Sequence, residues 1–246
     1  MKLEQVIKNL SALVAGAFIF FMAGGIYLSS KGFEMDENGE IVLMKRAAAQ
    51  EETPAPIKEI PDNYAFPDEH SIGSKDAPVT LYEYSSFGCS HCADFHLSTL
   101  PQLKSEFVDK GLLRLVFVPF PIDKHSMNGA LLAECVDEDK YFSFAEVLFK
   151  KQREWGLARN PKKVLMQYAA LSGLSKEKAA ACLKNDTNAR EILSNRQNGL
   201  TQLGIQGTPS FVISAGGRSE LISGTHTFES FKEMIEAKLP EKSAEK

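Results

Sequence analysis

Two cysteines with a histidine between them carry the clearest chemical signal in the sequence. Cys89 and Cys92 stand at C-x-x-C spacing and flank His91, which lets their two sulfurs meet within one helical turn. The residues before the pair predict a strand and those after it a helix. Cys89 then lies at a helix N-terminus, where free N–H groups and the helix dipole favour a thiolate. An imidazole near Cys89 would lower its pKa further, and a stabilised thiolate makes the disulfide more oxidising.

Zinc binding and a purely structural disulfide are the alternative interpretations of this pair. Cys89, Cys92 and His96 have C-x2-C-x3-H spacing, but no second paired motif supplies the fourth ligand that a structural zinc site has. A C-x-x-C disulfide closes almost no loop, so it would stabilise the fold little. We therefore expect a redox pair, with no metal and no cofactor.

The elements around the pair form a β-α-β unit. Residues 79–84 are rich in β-formers, the helix after Cys92 runs to Gly111 with a kink expected at Pro101, and a second strand covers 112–118. Crossovers of this kind give parallel neighbouring strands.

A helical block follows, and the chain then returns to β-structure. The expected helices are 128–135, 141–152, 161–171, 175–183 and 187–203, and they are followed by a hairpin at 210–214 and 219–222 and a last helix at 227–238. Pro209 opens this hairpin after Gly207 and Thr208. Because proline cannot donate to a sheet, it marks either an edge strand or a cis peptide bond.

The N-terminal part predicts export. Residues 10–28 contain no charge and just match the thickness of a bilayer core, with Lys2 and Lys8 before them. We expect residues 1–30 to be an uncleaved signal anchor with a cytoplasmic N-terminus, a cleaved signal peptide being the alternative. Residues 31–77 are expected to be a linker, in which the apolar run 41–44 is either a stray element or a self-association stalk.

Composition and charge exclude other classes. The chain has 246 residues, a net charge of −4 and a pI of about 5.8, so no basic excess exists to hold a nucleic-acid backbone. Four cysteines are too few for a disulfide scaffold of this length. Cys135 and Cys182 both fall in the helical block, and in an oxidising compartment we expect them to be bridged.

The sequence resembles the DsbA-like branch of the thioredoxin superfamily, which are exported thiol–disulfide oxidoreductases. The resemblance rests on residues 87–92, on Thr208-Pro209 and on the helical block between them, and it covers about residues 78–239. It implies an α/β thioredoxin fold with an inserted helical domain and a cis-proline loop beside the redox pair. The thioredoxin domain would comprise 78–122 and 200–239, the insertion 123–199, and a polar tail 240–246.

The resemblance also implies roles for individual residues. Cys89 would be the nucleophile that forms the mixed disulfide, Cys92 the buried resolving thiol, and Thr208 with Pro209 the wall of a substrate groove. Family members often carry Pro-His between the cysteines, where this chain has Ser-His. They also often place a carboxylate six residues before the first cysteine. Glu83 occupies that position, where it either relays protons to Cys92 or points to solvent.

These features predict an exported enzyme that donates its Cys89–Cys92 disulfide to reduced, newly exported proteins. A membrane redox partner would reoxidise it. The alternatives are an oligomeric isomerase or reductase and, from a different class, an anchored binding module or chaperone without catalysis.

Overall fold

The computed structural model describes residues 33–35, 41–43, 58–60, 64–68 and 70–240. Its contacts divide the chain into two units, residues 1–54 and 55–246. In the first unit, strands β1 (Phe33–Met35) and β2 (Ile41–Leu43) form an antiparallel hairpin, so three residues of the apolar run 41–44 lie in a strand. The predicted membrane segment 10–28 lies outside the described residues, and among those described no helix is long and apolar enough to cross a bilayer.

Six strands form one mixed sheet in the second unit. They are β3 (Lys58–Ile60), β4 (His70–Ile72), β5 (Val79–Ser85), β6 (Leu113–Pro119), β7 (Ser210–Ala215) and β8 (Arg218–Ser223). Their order across the sheet is β3-β8-β7-β5-β6-β4. The pair β5–β6 is parallel, as its helical crossover requires, and the other neighbouring pairs are antiparallel.

Helices cover both faces of this sheet and fill the insertion between β6 and β7. They are α1 (90–108), α2 (Lys124–Ala133), α3 (Tyr141–Lys150), α4 (Gln152–Gly156), α5 (Pro161–Leu171), α6 (Lys176–Cys182), α7 (186–203) and α8 (Phe228–Glu236). The result is a thioredoxin fold with a helical insertion, as the resemblance implied.

Alternation along the strands assigns each side chain to one layer. Leu81 of β5 packs with Phe95 of α1 and Phe231 of α8, whereas its near neighbour Tyr84 packs with Leu203 of α7 on the opposite face. Because side chains two apart share a face, Glu83 lies on the same face as Leu81, under α1. This register decides where the carboxylate of Glu83 meets its partners.

The predicted linker 31–77 contributes two strands to the sheet, which corrects the boundary expected at residue 78. β3 pairs with β8 and β4 pairs with β6, each over three residues. Ile60 of β3 is buried in the sheet core. Three-residue edge strands carry too little periodicity to be recognised, and they are stabilised by partners far away in the sequence.

Helix α1 continues through Pro101, where the sequence predicted a kink. Wider π-turns at Phe95–Thr99 and Lys104–Val108 lie on either side of the α-helical turn Leu100–Leu103. Pro101 lacks the N–H that an α-helical bond would need, and a widened turn absorbs that loss within the helix.

The helical insertion has its own core and one covalent link. Trp155, Phe144 and Leu148 are fully buried there. Cys135, just after α2, is joined to Cys182 at the end of α6, with their Cα atoms 6.3 Å apart. The disulfide therefore connects the end of the first helix of the insertion, α2, to the end of α6.

Candidate active site

The redox pair lies where β5 gives way to α1. The chain turns between Ser85 and Ser90, and the Cys89 N–H donates to the Ser86 carbonyl at 3.0 Å. Cys89 is 9% exposed and Cys92 is fully buried, and both are free thiols. Cys89 thus keeps a small exposed fraction, whereas Cys92 is enclosed by protein.

A glutamine from the insertion holds this turn. The side-chain amide of Gln152 donates to the carbonyls of Phe87 at 2.7 Å and Cys89 at 2.8 Å. Gln152 is the first residue of α4, so the two hydrogen bonds connect the helical insertion directly to the redox turn. Sequence patterns gave no indication of Gln152, since a lone glutamine in a helical stretch is indistinguishable from a solvated one.

The loop before β7 faces the redox pair. The Cys89 sulfur lies 3.2 Å from the Thr208 carbonyl oxygen, and the Thr208–Pro209 peptide bond is cis. Next to it lies a groove of about 310 Å³ lined by Asp94, Phe95, Ser98, Thr99, Pro209, Phe211, Thr225, His226 and Thr227. Pro209 therefore belongs both to the cis-proline loop and to the wall of this groove.

The pKa of Cys89 is lowered to about 5, which keeps it a thiolate at neutral pH. The main cause is a hydrogen bond from the Cys92 thiol. Backbone N–H groups of Cys92 and His91, at the start of α1, add to it, while partial burial acts in the opposite direction.

The pKa of Cys92 is raised far above its ordinary value. Burial is the largest cause, the hydrogen bond to Cys89 is the next, and the negative charge of Glu83 also raises it. A hydrogen bond with the Ser85 hydroxyl acts in the opposite direction. At neutral pH the resting pair is therefore one thiolate, at Cys89, and one thiol, at Cys92.

Glu83 is fully buried, which excludes the solvent-facing alternative, and its partner is His96. The Nε2 of His96 lies 2.8 Å and 3.1 Å from the two carboxylate oxygens, and the His96 side chain is only 3% exposed. His96 stacks on Phe149 at a centroid distance of 4.3 Å. The sequence suggested His96 only as a zinc ligand, yet its ring contacts a carboxylate that lies beneath the helix.

Comparison with known proteins agrees with this geometry. A family model described as thioredoxin matches residues 66–237. The chain belongs to the thioredoxin family. Among its relatives, disulfide bond formation protein D of Bacillus subtilis is 28% identical over 183 residues, covering 68% of this chain and 76% of the relative. A relative from Rickettsia bellii, provisionally named a protein-disulfide oxidoreductase, is 27% identical over 144 residues, 58% of this chain and 56% of its own length.

Solved structures of this family have the same fold. Oxidised BdbD of Bacillus subtilis superposes with a TM-score of 0.57 at 26% identity, covering 69% of this chain and 92% of that one. Wolbachia pipientis alpha-DsbA1 superposes with a TM-score of 0.65 at 24% identity, covering 72% and 93%. These neighbours confirm the DsbA-like thioredoxin fold with its helical insertion.

The predicted role of His91 at the redox pair stays a prediction. Its imidazole is exposed and lies 3.7 Å from the Asp94 carboxylate. Side chains at the exposed first turn of a helix project outward, so the effect of this residue on the Cys89 pKa comes through its backbone N–H.

Proposed function

We propose that this chain is an exported thiol–disulfide oxidoreductase that forms disulfides in reduced proteins outside the cytoplasm. The observation that carries the proposal is the contrast between the two cysteines. Cys89 keeps 9% of its surface exposed, has a pKa of about 5 and lies against the cis-proline loop, whereas Cys92 is fully buried and holds its proton. A thiolate that is this stable is a good leaving group, which is what a disulfide donor needs.

The first step transfers the disulfide to the substrate. A substrate thiolate attacks the Cys89 sulfur of the oxidised pair, the Cys89–Cys92 bond breaks, and its electrons go to the Cys92 sulfur. Because Cys92 is buried with a strongly raised pKa, it leaves as a thiol and must receive a proton. We assign that proton transfer to Glu83, the buried carboxylate whose charge acts on Cys92.

The second step releases the product. A second substrate thiolate attacks the substrate sulfur of the mixed disulfide, and Cys89 leaves as a stable thiolate. The substrate dithiol has then been oxidised to a disulfide and the enzyme pair reduced. A membrane-bound redox partner would accept these two electrons and restore the Cys89–Cys92 disulfide, and Thr208 with Pro209 would orient the extended substrate.

The equilibrium reduction potential of the Cys89–Cys92 couple tests this proposal. Each tenfold change in thiolate stability is worth about 30 mV for a two-electron couple. A pKa of about 5 lies between those of thioredoxin, about 7, and DsbA, about 3.5. Scaling from their potentials of about −270 and −120 mV gives an expected value between about −165 and −210 mV.

The measurement uses the full-length chain in glutathione buffers. A Cys135→Ser/Cys182→Ser variant alongside leaves a single titrating couple. A potential near that of thioredoxin would instead indicate a reductant, and the absence of a reversible couple would overturn the enzyme assignment. If the Cys89→Ser variant still promotes folding of exported proteins, a non-catalytic binding role replaces the enzyme assignment.

A further inference from the structure

We propose that His96 is a positioning residue that passes protons between solvent and Glu83, through a second groove separate from the substrate groove. The proposal rests on the proposed function, because it names the route by which the proton for Cys92 enters the protein. Proton entry and substrate binding would then occur on different faces of α1.

The need for a route follows from burial. Cys92 and Glu83 are both 0% exposed, so neither can exchange a proton with water directly. The proton that Cys92 receives in the first step must therefore be replaced at Glu83 from elsewhere. Among the described residues, His96 is the titratable side chain hydrogen-bonded to Glu83, and it contacts both carboxylate oxygens.

His96 also borders a surface opening. A groove of about 370 Å³ is lined by Ile72, His96, Leu97, Leu100, Pro101, Lys104, Phe142, Ser143 and Glu146. Only Nε2 of His96 is engaged by Glu83 in the part of the chain that the structure describes. The proposed route assigns the exchange with water in this groove to the other ring nitrogen, Nδ1.

The two grooves use different residues of α1. Asp94, Phe95, Ser98 and Thr99 border the groove beside Pro209, whereas residues 96, 97, 100, 101 and 104 border the second one. A substrate lying against Pro209 would cover the first groove and leave the second open. Protons could then reach Cys92 while the mixed disulfide persists.

The proton balance is simple. Water in the second groove gives a proton to Nδ1 of His96, Nε2 gives one to Glu83, and Glu83 gives one to the departing Cys92 sulfur. No oxidant or reductant other than the substrate thiol and the enzyme disulfide takes part. The charged or titratable groups around His96 are Glu83 on β5, Cys92 and Lys104 on α1, and Glu146 on α3, while its β6 neighbour is the uncharged Phe117.

Two substitutions separate proton transfer from structure. His96→Gln keeps a donor for Glu83 but cannot carry a proton through a ring, and His96→Gly opens a space that imidazole can enter. His125→Gln, an exposed histidine of α2, is the matched control. The readout is the single-turnover rate at which dithiothreitol reduces the oxidised full-length chain, measured against pH with and without imidazole.

We expect both His96 variants to be reduced at least about tenfold more slowly than wild type, since a positioned general acid typically contributes about 10²–10⁴-fold. Imidazole should restore the rate of His96→Gly but not that of His96→Gln, whose side chain still fills the site. The reduction potential of His96→Gln should change little, because a route alters rates and not equilibria. Wild-type rates in His96→Gln, or slow rates in His96→Gly that imidazole leaves unchanged, would overturn this inference.

The same experiment distinguishes the two proposals. A wild-type chain with no reversible disulfide couple would overturn the proposed function. A wild-type donor whose His96→Gln variant reacts at the same rate overturns only the proton route.

Discussion

The low pKa of Cys89 comes from short-range hydrogen bonds at the start of α1, so it should be visible in its reactivity. Only the thiolate reacts with iodoacetamide. We expect the alkylation rate of Cys89 in the reduced chain to be nearly constant above pH 6 and to fall about tenfold per pH unit below about 5. Cys92 is buried and should not react. An inflection near pH 8 to 9, the ordinary range for cysteine, would contradict this assignment.

Gln152 holds the carbonyls of Phe87 and Cys89, and Gln152→Ala tests how much the turn depends on them. The substitution removes two hydrogen bonds worth about 0.5–1.5 kcal/mol each, so we expect the free energy of unfolding to fall by about 1–3 kcal/mol. Loosening the turn also moves the N–H groups of α1 away from the sulfur, so the pKa of Cys89 should rise. Urea unfolding and the alkylation profile measure both effects. The control is Gln202→Ala, at an exposed position. Equal changes in unfolding free energy and in the Cys89 pKa for the two variants would show that Gln152 does not hold the redox turn.

At the scale of elements, the sequence predicts what repeats locally and misses what depends on distant partners. β5, β6 and the β7–β8 hairpin were predicted within one or two residues, because several consecutive positions show the pattern. β3 was missed because its burial depends on pairing with β8, which lies more than a hundred residues away.

The same contrast between local patterns and distant contacts explains which active-site residues the sequence revealed. The C-x-x-C motif and Pro209 are local signals and were recognised. The contact between Glu83 and His96 is not local: it exists because α1 packs over the face of β5 that carries Glu83. Gln152 reaches the redox turn from another element altogether. Reactive residues can thus be found from spacing, whereas the residues that position them follow from packing.

The disulfide in the insertion yields a prediction at the scale of elements. Cys135 and Cys182 are 47 residues apart, and closing a loop of that size stabilises a fold by about 4 kcal/mol in the chain-entropy model. We expect Cys135→Ser/Cys182→Ser to lower the free energy of unfolding by up to about 4 kcal/mol, measured in urea. The reduction potential of the Cys89 couple should stay the same, because the turn and Gln152 are untouched. A large shift of that potential would show that the disulfide controls the redox site.

For the whole molecule, the two redox states should respond differently to pH. Cys89 has a folded pKa of about 5 and an unfolded pKa of about 8.5. Between these values the unfolded reduced chain binds a proton that the folded chain has released, so stability of the reduced form rises with pH. In the oxidised form Cys89 is in a disulfide and does not titrate, so its stability does not rise with pH for this reason.

We therefore expect the stability of the reduced chain minus that of the oxidised chain to increase from pH 5 to pH 7.5 by up to about 1.4 kcal/mol per pH unit, and to lose this contribution as the pH falls through about 5. Urea unfolding of both forms at several pH values measures it, with a reductant mild enough to leave Cys135–Cys182 closed. Because the carboxylates and histidines are common to both forms, their titrations largely cancel in the difference. A reduced Cys89→Ser variant should follow the pH dependence of the oxidised form. Parallel pH dependences for the two wild-type states would show that the Cys89 thiolate does not drive disulfide donation.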